Sequence, residues 1–384
     1  MSRNYRGRRA GRTQGVSPIS ILIAALVLIL TVLLVLITLK KKPATKPVED
    51  PKPVENVDKQ EPTDQPVEPT TTPIARIEVF GDTQQYNSVY RVGNTGFEMF
   101  TYSDEVAKKY ATCVNKVADA VQGTARVFDL CPPLSSGICL PDDLYGLNVF
   151  SDQKEAEKNI LSYMDENVIP VPLNETLMQH RTEYIAFRTD HHWTGLGAYY
   201  AYTQFCEAAG FTAHEISEYK TVDFDGFLGS FYNDIQREGG NSDPLGATPD
   251  VVTAYYPVSP VVTMTVTEKT GNVIDFDSPI YDESSAPAAY KYGAFIYGDN
   301  AFTEITNESL TDGSSCVVIK DSFGNAFVPF LADHYQTVYV VDYRHWDGSL
   351  VEFIKSNGVD DVIFCNNLSS IRDNTKMGQL YGIL

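Results

Sequence analysis

Cys316-Val317-Val318-Ile319-Lys320 runs straight into Asp321-Ser322-Phe323-Gly324-Asn325. The apolar stretch shows no polar alternation, which suits a strand covered on both faces in a parallel sheet. A helix over 323–333 is expected next, and the alternation continues with strand 337–342, helix 348–356 and strand 361–365. This βαβαβ pattern predicts a parallel sheet with right-handed crossovers, whose sites form beyond the carboxyl ends of the strands. Ser322, Arg344, Asn366 and Asn367 each fall just past such an end. A serine at that point gains most, because free N–H groups at a helix start can hold developing negative charge.

Upstream, Asp104 to Val121 has helical periodicity and Arg126 to Leu130 reads as a strand. A helix over 153–167 and a short strand over 168–173 are expected next. Residues 183–188 then lead, extended, into Asp190-His191-His192-Trp193. In an extended segment residues i and i+2 leave the same face, so Asp190 and His192 can address one site while His191 points away. Thr194 is placed to cap a helix through Ala209, with Gly210 ending it. Between 220 and 300, alternating runs such as Val261 to Val266 predict a β-rich insertion.

A serine, a histidine and an aspartate in plausible relation point to serine-based acyl transfer. Metal binding is disfavoured on the same residues. Adjacent histidines on a strand face opposite ways, there is no His-x-His, and no cysteine lies nearby. No metal and no cofactor are therefore expected.

The amino terminus suggests a place for this chemistry. Arg3, Arg6, Arg8, Arg9 and Arg12 lie in a basic tail, residues 1–18, ahead of the apolar run Ile19 to Leu39. At ~1.5 Å per helical residue that run reaches about 30 Å, enough for a bilayer core. A cleaved signal peptide fits less well, since the run is long and no small-x-small site follows. A single transmembrane anchor with a cytoplasmic amino terminus is expected. Residues 40–73 are rich in Pro, Thr and Glu with no aromatic residue, which predicts an extended linker outside the membrane. The remaining 74–384 would be the catalytic domain, held extracellularly at the cell membrane.

Charge limits the partners. Nine of the 30 Lys/Arg lie in residues 1–46, leaving 21 against 50 acidic residues, a formal −29. Such a surface excludes nucleic acid, and an anionic polymer held by charge alone, and favours a neutral or amino-sugar glycan. Six cysteines permit up to three disulfides, with Cys131 and Cys139 the expected pair and Cys316 and Cys365 free in the core.

The run Tyr184…Arg188-Thr189-Asp190-His191-His192-Trp193-Thr194-Gly195, together with Val318-Ile319-Lys320-Asp321-Ser322-Phe323-Gly324-Asn325 and Val340-Val341-Asp342-Tyr343-Arg344-His345-Trp346, resembles the DHHW protein family. More distantly it is similar to the SGNH-hydrolase-like domains of alginate and cellulose O-acetyltransferases. The resemblance implies a three-layer α/β/α, flavodoxin-like SGNH fold with the Asp-x-His block before the Ser block, a circular permutation of ordinary SGNH esterases. It implies Ser322 as nucleophile, His192 as general base and Asp190 as its orienting acid. Oxyanion donors would come from Arg344 and from Asn367 or Asn366, with His191, Trp193 and Tyr184 secondary. Lys320 stands where a glycine is usual, and Tyr343-Arg344 where the SGNH glycine falls. That donor would then be a backbone N–H or the Arg344 guanidinium.

The activity implied by this resemblance is that of an extracytoplasmic O-acetyltransferase acting on a cell-surface or cell-wall glycan. A multi-pass membrane O-acyltransferase would deliver the acetyl group. An acetyl-esterase with the same triad, or a non-catalytic glycan-binding or assembly protein, are the alternatives.

Overall fold

The computed structural model describes residues 79–384. The expected basic tail, membrane span and linker lie outside the described residues, as does the start of the 74–384 domain. Among the described residues no helix is long and apolar enough to cross a membrane.

Three short strands, β1 (Thr83–Gln85), β2 (Val89–Val92) and β3 (Thr95–Glu98), form an antiparallel sheet of their own. Strands β4 (Arg126–Leu130) and β5 (Val168–Val171) belong to the main sheet, whereas β6 (Lys220–Phe227) and β7 (Asp250–Tyr256) pair separately. The main sheet continues with β8 (Val262–Thr267), β9 (Val273–Phe276), β10 (Phe302–Asn307), β11 (Ser315–Lys320), β12 (Thr337–Asp342) and β13 (Asp361–Cys365). Its order is β5-β4-β13-β11-β12-β10-β8-β9. The first five are parallel, and β10, β8 and β9 extend the sheet antiparallel. The fold is α/β with a mixed sheet.

Burial follows the sequence pattern. Every residue of β11 and β13 is buried, as continuous apolar strands require. In β8, Val262, Met264 and Val266 are buried while the threonines between them are half-buried, the signature of a strand packed on one face. On β4, Phe128 packs edge-on against Phe205 of helix Gly195–Ala209, whereas the next residue, Asp129, accepts from Tyr110 of helix Asp104–Val121. Successive strand residues therefore meet different helices, and the sheet is covered on both sides.

Two expectations need correction. The β-rich region 220–300 is not one insertion: β6 and β7 stand apart, but β8 and β9 lengthen the main sheet. Alternating hydrophobicity specifies a half-buried strand without naming its neighbour. The Cys131–Cys139 disulfide is absent; all six cysteines are free. The intervening stretch carries helix Ser135–Ile138, and the buried Cys131 thiol instead donates to Asp129 Oδ2 at 3.4 Å.

Candidate active site

Strand β11 ends at Lys320, and Ser322 sits at the carboxyl edge just ahead of helix Gly324–Leu331. Asp321 shapes that corner. Its Oδ1 accepts from the N–H of Phe323 at 3.0 Å, an Asx-turn that bends the chain within one residue of the serine. The N–H of Ser322 itself takes no acceptor among the described residues.

The second block arrives from a reversal, not from a strand. Ala186 and Trp193 bridge antiparallel, and the residues between them turn. The i, i+2 relation still brings Asp190 to His192, but by another Asx-turn: Asp190 Oδ1 accepts from the His192 N–H at 3.0 Å and lies 2.6 Å from His192 Nδ1. His192 Nε2 then stands 2.7 Å from Ser322 Oγ. Asp190 Oδ2 accepts from the Ser230 N–H at 2.7 Å. Asp190 and His192 are 4% and 7% exposed, so this chain of contacts is largely shielded from water. Burial alone would raise the Asp190 pKa. The adjacent His192 and His191 charges and the bonds from His192 and Ser230 outweigh it, holding the carboxyl well below the usual carboxylate range.

The loop is fixed from two directions. Asp250, fully buried at the start of β7, accepts from the N–H groups of Arg188 and Thr189, the Thr189 hydroxyl and the Tyr184 hydroxyl. Trp193 Nε1 donates to the carbonyl of Phe323 at 2.9 Å, tying the histidine block to the serine corner. Tyr184 and Trp193 are thus supports.

His191 departs from expectation. Its ring lies beside that of His192, with centroids 3.8 Å apart, and its Nδ1 is 2.7 Å from Ser230 Oγ. Adjacent side chains diverge on a strand but not on this turn. Burial, and next the His192 charge, lower its pKa. The two histidines and Asp190 also offer three possible metal-ligating atoms within 4.8 Å of one another. Both Asp190 oxygens, both His192 nitrogens and His191 Nδ1 already have protein partners, which leaves His191 Nε2 as the one nitrogen open to a ligand.

Of the expected oxyanion donors, the structure brings two to the cleft and turns one away. Asn366 is 0% exposed, its amide donating to the Ile319 carbonyl at 3.2 Å. It faces the core because β13 pairs with β11 up to Cys365, leaving the next side chain under the sheet edge. Asn367 does line the cleft beside Ser322. Its Oδ1 caps helix Leu368–Ile371, and its Nδ2 and backbone N–H both donate to Asp321 Oδ2 at 2.8 Å. Arg344 is clamped, with Nε and Nη2 on Asp342 at 2.8 and 2.5 Å and Nη2 also 2.9 Å from Asp299. Lys320, 1% exposed, joins the same two carboxylates at 3.0 and 3.2 Å. Burial would raise the Asp299 and Asp342 pKa values, but Lys320 and Arg344 hold both low.

Sequence reasoning missed Tyr292. Its ring stacks on His192 at 4.0 Å and 10°, and its hydroxyl donates to the Ser322 carbonyl at 3.1 Å. Asp299 was missed too. It follows Ile296, Tyr297 and Gly298, three successive left-handed residues with φ of 47°, 58° and 77°. For a β-branched residue that conformation is strained, and here it precedes a side chain that pairs with Arg344. Neither residue lies in a periodic or motif-like stretch, so no signal marked them.

Ser322, His191 and Arg344 line two adjoining cavities. One, of about 600 Å³, runs toward Ser88, Glu98, Arg372 and Lys376; the other, of about 660 Å³, runs toward Glu283, Tyr290 and Tyr297.

Residues 56–341 match the model of the family described as DHHW protein. The chain belongs to the DHHW family. Its fold is similar to the crystal structure of a DHHW family protein from Eubacterium siraeum, at 30% identity over 80% of this chain and 99% of that one, with a TM-score of 0.69. It is also similar to Bacillus cereus PatB1 with a sulfonyl adduct, at 18% identity over 77% and 97% of the two chains, TM-score 0.61. The O-acetyltransferase domain of Pseudomonas putida AlgJ aligns at 13% identity over 75% and 96%, TM-score 0.42. No curated protein matches the sequence.

Proposed function

We propose that this DHHW protein is a serine-dependent O-acetyltransferase acting on a cell-surface glycan. The observation that carries the reading is the contact series Asp190 Oδ1–His192 Nδ1–His192 Nε2–Ser322 Oγ, with both links between 2.6 and 2.7 Å. A hydroxyl in that contact can pass its proton to imidazole as it attacks an acyl carbon, and the buried aspartate stabilises the imidazolium that forms. Ser322 Oγ bonds to the acetyl carbonyl carbon and its proton moves to His192 Nε2. The tetrahedral oxyanion accepts from the Ser322 N–H and from the clamped Arg344 guanidinium, with Asn367 alongside. Collapse expels the donor's leaving oxygen, which takes the proton from His192 and leaves acetyl-Ser322. A sugar hydroxyl then gives its proton to His192 and attacks the acetyl-serine, and the serine leaves reprotonated.

Two cavities meeting at Ser322 leave room for a donor on one side and an acceptor on the other, which supports transfer over simple hydrolysis. With water as acceptor the same steps make an esterase. The apolar run 19–39 and the linker after it support an anchored domain outside the cell membrane. A multi-pass membrane O-acyltransferase would then deliver the acetyl group, since one span cannot transport it.

The test is acetate release from a chromogenic acetyl ester by the full-length protein, with and without soluble glycan oligomer. Acetylated oligomer appearing faster than free acetate is the expected result. Release confined to water makes the protein an esterase, and background rates equal to those of Ser322→Ala would refute both.

A further inference from the structure

We infer that the cavity running from Ser322 to Lys376 takes an acceptor glycan bearing an anionic group, a carboxylate or a phosphate, bound between Arg372 and Lys376. As to which end holds the acceptor, the inference rests on the serine reading above. Overall charge points the other way, since the sequence carries 50 acidic residues against 30 basic ones. In the lining of this cavity Arg344 is matched by Asp342 and Asp299 and Arg372 by Glu98, so the cation without a carboxylate partner among the described residues is Lys376.

Its carboxylates are already neutralised. Glu98 is paired with Arg372 at 3.2 Å, and Asp234 with Arg237 at 2.9 Å. Lys376 is different: its ammonium donates to the Ser370 hydroxyl at 3.0 Å and has no carboxylate partner among the described residues. A half-buried ammonium held by one neutral hydroxyl keeps two further N–H groups available. Arg372 lines the same cavity. The guanidinium lies over the Phe100 ring at 5.5 Å, while only Nη2 bonds to Glu98 and Ser369. Its remaining N–H groups have no acceptor among the described residues. Two oriented cations with spare donors match the oxygens of a carboxylate or phosphate.

The rest of the wall suits the sugar. Gln85, Asn87, Ser88 and Thr101 offer amides and hydroxyls of both polarities for ring hydroxyls. With the anion at the Arg372–Lys376 end, a hydroxyl elsewhere on the glycan would face Ser322. The pair would therefore select the acceptor, and its test is selectivity.

Binding should be measured by calorimetry on full-length Ser322→Ala protein, which removes turnover from the readout. The probes are galacturonic acid trimer, mannotriose carrying a 6-phosphate, and unsubstituted mannotriose. At least one anionic trisaccharide is expected to bind about tenfold tighter than mannotriose, the scale of one or two charge-assisted hydrogen bonds. Whichever anionic probe binds tighter identifies carboxylate or phosphate as the recognised group. Adding Lys376→Gln and Arg372→Gln should shrink the preference to about twofold or less, with Lys376→Gln alone as the fallback if the double substitution unfolds. No binding of either anionic probe, equal binding of mannotriose, or a preference that survives the substitutions overturns the inference. Acetyl-ester turnover by the wild-type protein is scored separately. Turnover without anion preference defeats only this inference, and anion preference without turnover defeats only the serine reading.

Discussion

Ser322→Ala removes the hydroxyl that contacts His192 Nε2 and should abolish acetyl-ester turnover without unfolding the protein, since it deletes a single oxygen. His192→Ala should cost about as much, and the double variant little more, because members of such a unit do not contribute additively. Asp190→Asn should lower kcat on the order of 10³–10⁴-fold by favouring the wrong imidazole tautomer. Steady-state kinetics on the four proteins, with circular dichroism as the control for folding, checks all three. Tyr292→Phe keeps the ring on His192 and drops only the bond to the Ser322 carbonyl, so it should be far milder than Tyr292→Leu. The three central residues were legible because they sit in two motif blocks. Tyr292 and Asp299 were not, since they lie in the short helix Ala288–Ala294 and in the irregular connection after it, outside any periodic run. Asn366 and Asn367 show the limit of register: one position decides between facing the core and facing the cleft.

At the level of elements, the site is assembled by three Asx-turns. Asp190 closes onto the N–H of His192, Asp321 onto that of Phe323 and Asp342 onto that of Arg344. The latter two follow parallel strands β11 and β12, whose ends are in register at Lys320 and Asp342. The strands and helices from 316 to 365 could be read to within two residues, because continuous apolar runs are broken there by polar and glycine-containing connections. Two features could not. Residues 188–192 looked extended but turn, since a short polar aspartate offers the backbone an alternative to a strand. The partners of β8 were also hidden, because alternation encodes a face and not a neighbour. One glycine gives a test at this scale. A Cβ at Gly229 would come within 2.2 Å of Asp190 Cβ, so Gly229→Ala must push the aspartate off His192. Its kcat is expected to fall by at least about 10²-fold although no group of the triad is changed. Thr194→Ala removes the cap of helix Gly195–Ala209 and should cost about 1 kcal/mol in chemical denaturation.

For the molecule as a whole, two groups of buried carboxylates pull stability in opposite directions with pH. Asp190, Asp299 and Asp342 are held below their ordinary values by cations and hydrogen bonds despite their burial. Their contribution is present above the unfolded carboxylate pKa and is lost as pH falls through the folded values, below about 4. Asp129 and Glu157 are pushed up by burial, to about 6 and about 7. Their contribution is complete below the unfolded pKa and is lost as pH rises through the folded values. Histidines His191, His334 and His345, whose pKa values burial lowers, contribute stability that grows as pH rises toward 7, so the two acids are read by difference from wild type. Asp129→Asn should gain stability relative to wild type as pH rises from 5 to 8, by on the order of 3 kcal/mol at most. A difference in melting temperature between Asp129→Asn and wild type that does not change over that range would contradict this assignment. The formal −20 counts carboxylates such as Asp342, which the fold buries and pairs with Lys320 and Arg344.

Activation of Ser322 as a nucleophile by His192 stands open to a direct chemical test. Full-length protein treated with an arylsulfonyl fluoride, digested and analysed by mass spectrometry, tests it without assuming a donor or a glycan. A single sulfonyl group on Ser322 is expected, formed at least about 10²-fold more slowly in His192→Ala. An unmodified Ser322, or labelling of Ser322 at an equal rate in the absence of the His192 side chain, would contradict it.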